Sequence, residues 1–308
     1  MNSAWKTTVS ALLLVLTALI WGVAFVAQSV GSDSVGPFTF LCCRSMIAGT
    51  ALLPVIALRS RRSAGIPRGT SSGRGVWLGG CMCGAALMAA SALQQIGIAG
   101  TTVGKAGFLT ALYIVIVPLF GIFLKKKIPL SVWAAVLIAA CGMYLLCINE
   151  GFTVSRGDGF MLLCAVCFSV HILTVDHFSP HADGIRMSCI QFYTCGLLSL
   201  FPMLLWEKPQ WQAISDAWIP ILYAGLFSSA VGYTLQIVAQ KNVPPTVASL
   251  LMSLESVFSA LAGWVILHES LSAKELTGCA LVFLAILLAQ LPASFFAALR
   301  TRLCRRKP

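Results

Sequence analysis

The sequence has little charge for its length. Charged residues make up 10% of its 308 residues, and only 10 of them are acidic. Globular proteins carry about 25% charged residues, so the chain lacks the polar surface that a soluble domain presents to water. Hydrophobic residues instead supply 58% of the sequence, and the mean hydropathy is +0.89. This composition predicts an integral membrane protein, surrounded by membrane lipid, without a soluble catalytic domain.

Sequence signals of enzymes are also missing. No Gly-rich G-x-x-x-x-G-K-[ST] loop for nucleotide phosphates is present. His177 and His181 have metal-ligand spacing, but they fall in a predicted loop beside Asp176 and Asp183, where a polar loop is the favoured interpretation over a metal site. All 12 cysteines but Cys304 fall in apolar segments, where thiols act as small apolar groups. We expect no catalytic residue, no metal, no cofactor and no enzyme activity.

Long apolar segments fill most of the chain. A transmembrane helix needs about 20 apolar residues, and ten segments of about 19 to 24 residues satisfy this requirement. They begin near residues 9, 38, 76, 101, 130, 158, 186, 217, 245 and 272. Proline suits the first turn of a helix. The second, fifth and ninth segments start beside prolines: Pro37, Pro129 and the pair Pro244-Pro245, respectively. The sequence therefore predicts an all-α membrane protein with ten transmembrane helices.

The basic residues predict the orientation of these helices. Lys and Arg resist translocation, and with the N-terminus inside, 16 of the 21 basic residues lie on the inner side. Both termini are therefore predicted to be cytoplasmic, with residues 293–308 as a basic tail. Since the basic residues lie at helix ends, the net charge of +11 reflects topology, and we expect no nucleic acid partner. Stripes of small residues leave a monomer and a homodimer equally open.

The two halves of the chain resemble each other. Residues 18–49 match residues 165–196 at an offset of 147, and Leu112 onwards matches Glu255 onwards at an offset of 143. We predict one five-helix repeat over residues 9–148 and a second over residues 158–292. Five is an odd number, so the second repeat is inverted relative to the first. Inverted repeats are typical of secondary transporters that work by alternating access.

The chain resembles the EamA-type drug/metabolite transporters over nearly its whole length. The matching pieces are Trp21-Gly22, Pro37-Phe38 through Arg44, Ala106 through Thr110 with Pro118, Leu254 through Val257, Glu269 and Gly278. The resemblance implies a ten-helix permease of the cell (inner) membrane that exports amino acids, related metabolites or toxins. The sequence differs from the family at Ser256, where proline is usual, and at His268, where glycine commonly precedes the glutamate.

Two charged residues fall well inside predicted spans. A charge at the bilayer centre costs about 2.5–3.5 kcal/mol, so Arg44 and Glu255 are expected to face a cavity. Arg44 suits a substrate carboxylate or another anionic group, with a structural counter-ion or an arginine that reaches the lipid headgroups as an equal alternative. Glu255 suits proton coupling or cation binding, with a packing role as the alternative. Together they suit a small zwitterion such as an amino acid.

Weaker candidates complete the predicted substrate site. Gln191 occupies the repeat position of Arg44, and polar or aromatic side chains elsewhere in the spans are candidates for substrate contact: Trp21, Gln94, Tyr113, Tyr233 and Gln236. We expect Lys105 and His171 to reach water instead, and Pro118 to break the fourth helix. The leading hypothesis is a secondary transporter of a small organic solute. A lipid scramblase or channel is the alternative, and a membrane-embedded enzyme is a weaker one.

Overall fold

The computed structural model describes residues 3–62, 73–125, 128–147, 155–268 and 272–290, and every regular element in these ranges is helical. The α-helices are α1 (Ser3–Ser32), α2 (Pro37–Arg62), α3 (Gly73–Ile98), α4 (Val103–Ala111), α5 (Tyr113–Phe123), α6 (Leu130–Cys147), α7 (Arg156–Phe178), α8 (Gly184–Pro202), α9 (Trp211–Asp216), α10 (Trp218–Leu222), α11 (Thr234–Gln240), α12 (Pro245–Met252), α13 (Glu255–Ile266) and α14 (Ala273–Gln290). A 3₁₀ turn covers Ser179–His181, and two π-helical segments cover Met203–Glu207 and Tyr223–Tyr233. The predicted tail, residues 293–308, and Glu269 lie outside the described residues.

Eight helical segments of the described chain are long and apolar enough to cross a membrane. They are Trp5–Ser32, Pro37–Arg61, Gly73–Ile98, Val103–Phe123, Arg156–His181, Gly184–Glu207, Trp218–Gln240 and Pro245–Ile266. Helices α6 and α14, of 18 residues each, contain shorter apolar stretches. The protein is therefore a multi-pass membrane protein. The first helix begins at Ser3 and not near residue 9 as predicted, because Trp5 and its neighbours continue the helix.

The N-terminus of α2 is capped from a distant part of the chain. Pro37 fills the first position of α2, and the Glu207 carboxylate closes that end of the helix. Its Oε1 accepts from the Phe38 N–H at 2.8 Å, and its Oε2 accepts from the Thr39 N–H and hydroxyl, both at 2.6 Å. A carboxylate there satisfies orphan amides and complements the helix dipole. Glu207 is the last residue of the π-helical segment Met203–Glu207, so its hydrogen bonds connect that segment to the start of α2.

Two of the spanning segments are interrupted near their middle. The span Val103–Phe123 breaks at Leu112, between α4 and α5, and not at Pro118 as predicted, since Pro118 lies inside α5. The span Pro245–Ile266 breaks between α12 and α13, directly before Glu255. This second break forms without the family's proline: Ser253 and Ser256 each donate to a carbonyl three residues earlier, at 2.7 Å.

The span Trp218–Gln240 contains the π-helical segment Tyr223–Tyr233. Backbone groups freed by irregular helix geometry need partners inside a membrane, and α1 supplies several. Trp21 Nε1 donates to the Ser228 carbonyl at 3.1 Å, and the Thr17 hydroxyl donates to the Gly232 carbonyl at 3.4 Å. Gly232 also leaves room for the Trp21 ring, which a Cβ at that position would meet at 2.7 Å. These contacts fix α1 against the π-helical segment.

The helices pack in pairs that recur in the two halves of the chain. Helix α3 of the first half packs on α7 and α8 of the second half. Correspondingly, the π-helical segment Tyr223–Tyr233 of the second half packs on α1 and α2 of the first half. Helix α1 contacts α13 much as α7 contacts α4 and α5. Helix α2 packs on α8, and α6 packs on α14. At the α1–α13 contact, Gly22 faces Phe258 so closely that no Cβ fits between them.

Candidate substrate-binding cavity

A central cavity lies among α1, α2, α3, α4, α5, α7, α11, α13 and the π-helical segment Tyr223–Tyr233. It is lined by Trp21, Ala24, Phe25, Gln28, Arg44, Gln94, Thr110, Tyr113, Phe168, His171, Ile172, Ser228, Tyr233, Gln236 and Glu255. Both halves of the chain contribute to this lining. Both helix interruptions also reach it, through Thr110 and Tyr113 in the first half and Glu255 in the second. Interrupted helices in corresponding places are a feature of transporter binding sites.

Arg44 is the cation of the central cavity. Helix α2 carries it about 10 Å from its N-terminal end, at 1.5 Å per residue. Its side chain is buried, with 3% exposure. One guanidinium nitrogen donates to Gln28 Oε1 over a long 3.4 Å, and its Nε has no partner. The guanidinium therefore retains donors for a ligand.

Glu255 is the acidic residue of the central cavity. It is the first residue of α13, directly after the interruption, and its exposure is also 3%. The positive end of a helix dipole favours a carboxylate in the first turn. Its Oε1 has no hydrogen-bond partner, although the Tyr113 side chain lies beside it. The carboxyl group lies at the helix end, and its Oε1 has an unused capacity for a hydrogen bond.

Arg44 and Glu255 line the same cavity without pairing. The one ion pair found among the described residues joins Lys105 to Asp158, outside the cavity. Tyr233 lies close enough to Arg44 and Glu255 to interact with both charges. Buried charges are costly unless a partner compensates them. The cavity therefore offers a ligand one guanidinium and one carboxyl group, each with an atom that has no hydrogen-bond partner.

Aromatic rings form one wall of the central cavity. The Trp21 and Tyr233 rings lie 4.6 Å apart, His171 follows at 5.7 Å from Tyr233, and Phe168 follows at 6.5 Å from His171. Adjacent rings that include His171 meet edge to face, a favoured geometry for ring pairs. This continuous wall can pack against the apolar part of an organic molecule.

Amide side chains add hydrogen-bonding groups around the charges. Gln94 Nε2 donates to the Thr110 hydroxyl at 3.3 Å, and Gln95 Nε2 donates to the Gln28 carbonyl at 2.9 Å. Gln236 is 1% exposed, and its Oε1 has no partner. Buried polar groups are normally hydrogen-bonded, so the free Gln236 oxygen is a further acceptor available to a ligand.

The structure brings seven of the eight sequence-predicted site residues to this cavity: Trp21, Arg44, Gln94, Tyr113, Tyr233, Gln236 and Glu255. Gln191 is the exception, since it lies behind the wall, with its Oε1 3.0 Å from His171 Nε2. The prediction that His171 reaches water was wrong, because this side chain is fully buried and lines the cavity. Lys105 pairs with Asp158 at 2.6 Å.

Seven further lining residues were not predicted from the sequence: Ala24, Phe25, Gln28, Thr110, Phe168, Ile172 and Ser228. A signal for several of them was present. Residues 21, 24, 25 and 28 follow the spacing of one helix face. Adding the repeat offset of 147 to the first three gives 168, 171 and 172, which also line the cavity. Helical spacing from Trp21, carried into the second half, would have found these residues.

No cluster of three or more His, Cys, Asp or Glu side chains that would hold a metal ion occurs within the described residues. His177 and His181 lie at the end of α7 and in the following 3₁₀ turn, away from the cavity. The lining of the cavity supplies one guanidinium, one carboxyl group, amides, hydroxyls and an imidazole.

Comparison with known proteins identifies the family. The model of the EamA-like transporter family matches residues 8–148 and again residues 155–291. The chain belongs to the EamA-like transporter family. Its two matches meet between α6 and α7, where the halves of the chain join.

Two of the relatives described next are named as uncharacterized transporters, and a third is named as a WAT1-related protein. The chain is 28% identical to an uncharacterized transporter of Archaeoglobus fulgidus, over 90% of this chain and 84% of that protein. It is 24% identical to the uncharacterized transporter YwfM of Bacillus subtilis, over 92% and 94% of the two chains. A chloroplastic WAT1-related protein of Arabidopsis thaliana is 24% identical over 91% of this chain and 69% of its own. A crystal structure with 19% identity, covering 92% of this chain and 96% of its own, superimposes with a TM-score of 0.73 and shares the fold.

Proposed function

We propose that the protein is a secondary transporter that carries a small zwitterionic solute, an amino acid or a related metabolite, through the central cavity. The observation that carries the proposal is the pair Arg44 and Glu255: a buried basic and a buried acidic side chain line one cavity, each has an unpartnered atom, and they do not bind each other. A carboxylate fits the guanidinium fork. An ammonium group fits the Glu255 carboxylate, and the apolar part of the solute fits the aromatic wall.

The proposed architecture is ten transmembrane helices in two inverted five-helix repeats, over residues 9–148 and 158–292, with both termini cytoplasmic. Helices α6 and α14 supply the fifth and tenth spans. Supporting this arrangement, the two family matches divide the chain at the same place, and the helix contacts recur in the two halves. Alternating access then consists of the two repeats rocking about the central cavity.

The proposed direction is export from the cytoplasm across the cell (inner) membrane, with Glu255 as the candidate coupling residue. Direction and location rest on the resemblance to exporters of this family. For coupling, the support is the place of Glu255: it is an acidic group in the cavity, about 15 Å from the start of α12 at 1.5 Å per residue. A carboxyl group there can exchange a proton for the charge of a bound solute.

Ligand-dependent stability is the first test. The detergent-purified protein is heated with amino acids, amines, sugars, nucleosides or cationic drugs. A ligand at 100 times its Kd stabilises the folded state by about 2.7 kcal/mol. We expect amino acids to raise Tm and the other classes to leave it unchanged. A shift with amines alone, or with no class at all in folded protein, would contradict the proposal.

Transport into liposomes is the second test. The Arg44→Ala variant is expected to lose uptake and counterflow of the zwitterion that stabilises the wild type. Arg59→Ala is the matched control, because Arg59 lies on the same helix but is exposed. Normal amino acid transport by Arg44→Ala would exclude its role in carboxylate binding. Flux without saturation or counterflow would instead indicate a channel or a lipid scramblase.

A further inference from the structure

Corresponding positions of the two halves carry different chemistry in the central cavity. At the offset of 147, Ala24 corresponds to His171, and both line the cavity. At the same offset, Arg44 corresponds to Gln191. The first half therefore supplies a small residue and a cation, whereas the second supplies an imidazole and an amide. Nothing in the binding of a zwitterion by Arg44 and Glu255 uses this second pair.

The hydrogen bond between Gln191 and His171 favours the imidazole tautomer that carries its hydrogen on Nε2. Gln191 Oε1 lies 3.0 Å from His171 Nε2. An amide oxygen only accepts, so Nε2 is the donor, and Nδ1 of the neutral ring is an acceptor. His171 is fully buried, and its Nδ1 has no hydrogen-bond partner. Leaving a buried acceptor unpaired is costly, so this nitrogen is a candidate for contact with a ligand.

The surrounding rings hold the imidazole in place on the cavity wall. Tyr233 and Phe168 both meet the ring edge to face, with centroids 5.7 and 6.5 Å away. Gln191, which is fully buried on α8, binds Nε2 of the His171 ring on the side away from the cavity. The ring therefore has little freedom to turn. A group held in this way discriminates between ligands better than a mobile one.

We propose that His171 is a specificity-determining residue of the central cavity, whose Nδ1 accepts a hydrogen bond from a neutral donor in the solute's side chain: a hydroxyl, an amide or a ring N–H. Gln191 is a positioning residue that acts through His171. This inference rests on the proposed transport of a zwitterion, whose charged ends bind Arg44 and Glu255. It adds that the preferred solute has a polar side chain.

Pairs of amino acids with similar shape test the inference, because one member of each pair carries a side-chain donor and the other does not. The pairs are threonine with valine, asparagine with leucine, and tyrosine with phenylalanine. The two amino acids of each pair are compared as competitors in a counterflow assay with liposomes. For the pair that fits the cavity best, we expect the wild type to prefer the donor-bearing member about tenfold, because a site built for a hydrogen bond rejects the analogue that lacks it.

Two substitutions of His171 separate recognition from folding. His171→Leu keeps much of the volume but removes the acceptor, so its preference should fall to about one. His171→Asn can place its side-chain oxygen near the position of Nδ1, so it should retain most of the preference. Gln191→Leu should weaken the preference while the Arg44-dependent transport continues. Each variant is first shown to be folded by its unfolding curve in detergent.

The outcomes distinguish this inference from the proposed function. Unchanged preference in folded His171→Leu overturns the role of His171, while loss of transport in Arg44→Ala still supports zwitterion binding. A wild-type preference for the member without a donor also overturns it. If no amino acid binds or is transported by the wild type, the proposed function fails, and this inference fails with it.

Discussion

Lys125 and His268 have the same left-handed backbone conformation, with φ of 57° and 56°, and each follows an interrupted helix of its half. They are 143 residues apart, which is the offset that aligns these helices. A positive φ favours glycine at such a position, because glycine adopts this conformation without the steric cost that a side chain adds.

Replacing His268 by glycine should therefore stabilise the protein. The left-handed conformation costs a residue with a side chain about 1–2 kcal/mol, and the greater unfolded-state entropy of glycine offsets part of this gain. We expect His268→Gly to raise the free energy of unfolding by about 0.5–1 kcal/mol. Thermal unfolding in detergent measures it. His268→Ala is the control and should bring no gain; equal stabilisation by both would show that φ is not the cause.

Removing the Glu207 carboxylate should destabilise the protein. Glu207 accepts three hydrogen bonds at the start of α2, from Phe38 and Thr39. Losing a helix cap costs about 0.5–2 kcal/mol, so Glu207→Ala should lower Tm measurably. The exposed neighbour Gln210 caps nothing with its side chain, and Gln210→Ala should leave Tm unchanged. Equal effects of the two substitutions would contradict the capping role.

A methyl group at Gly22 should disturb the packing of α1 on α13. A Cβ there would collide with Phe258 and with the Ser259 backbone. Overpacking costs about 1–3 kcal/mol, so Gly22→Ala should lower Tm and reduce transport. A Cβ at Gly159, in α7, meets nothing within 4 Å. Gly159→Ala should be neutral or stabilising, since alanine favours helices over glycine by about 1 kcal/mol.

Transport should lose its pH dependence when Glu255 cannot ionise. Glutamine keeps the shape of the side chain but cannot exchange a proton. Glu255→Gln also loses the partner of the ammonium group, so its uptake into liposomes should be weaker, and the uptake that remains should respond to neither the external pH nor a pH gradient, whereas the wild type should respond to both. Asp33 is an exposed acid outside the cavity, so Asp33→Asn should behave as wild type. If Glu255→Gln keeps the full pH response, that response belongs to another group, such as His171.

Much of this arrangement was accessible from the sequence, because in a membrane the cost of exposing polar groups ties burial closely to composition. Nine of the ten predicted segment starts fall within about three residues of helix starts, and Arg44 and Glu255 were expected to share a cavity. His171 was misjudged because its distance from the helix end does not reveal which neighbour it meets. Its partner Gln191 lies on another helix.

The interruptions were harder to predict. Proline suggested a break at Pro118, yet the helix breaks at Leu112, and the second break, directly before Glu255, has no proline beside it. Ser253 and Ser256 at this break make the same hydroxyl bonds as Ser249 and Ser259, which lie inside regular helix. Serine hydroxyls bond to nearby backbone carbonyls in several helical geometries. Their effect on the helix depends on packing, which the sequence of one segment does not contain.

The two charges of the cavity come from different halves of the chain. Arg44 precedes the join between α6 and α7, and Glu255 follows it. A fragment that ends at this join would hold a guanidinium without a counter-charge, and two copies of that fragment would bring two cations together. Combining the two separately expressed halves would again place one guanidinium and one carboxyl group in the cavity. The opposed charges therefore require a single fused chain or two unlike subunits, and a symmetric pair of identical halves cannot supply them.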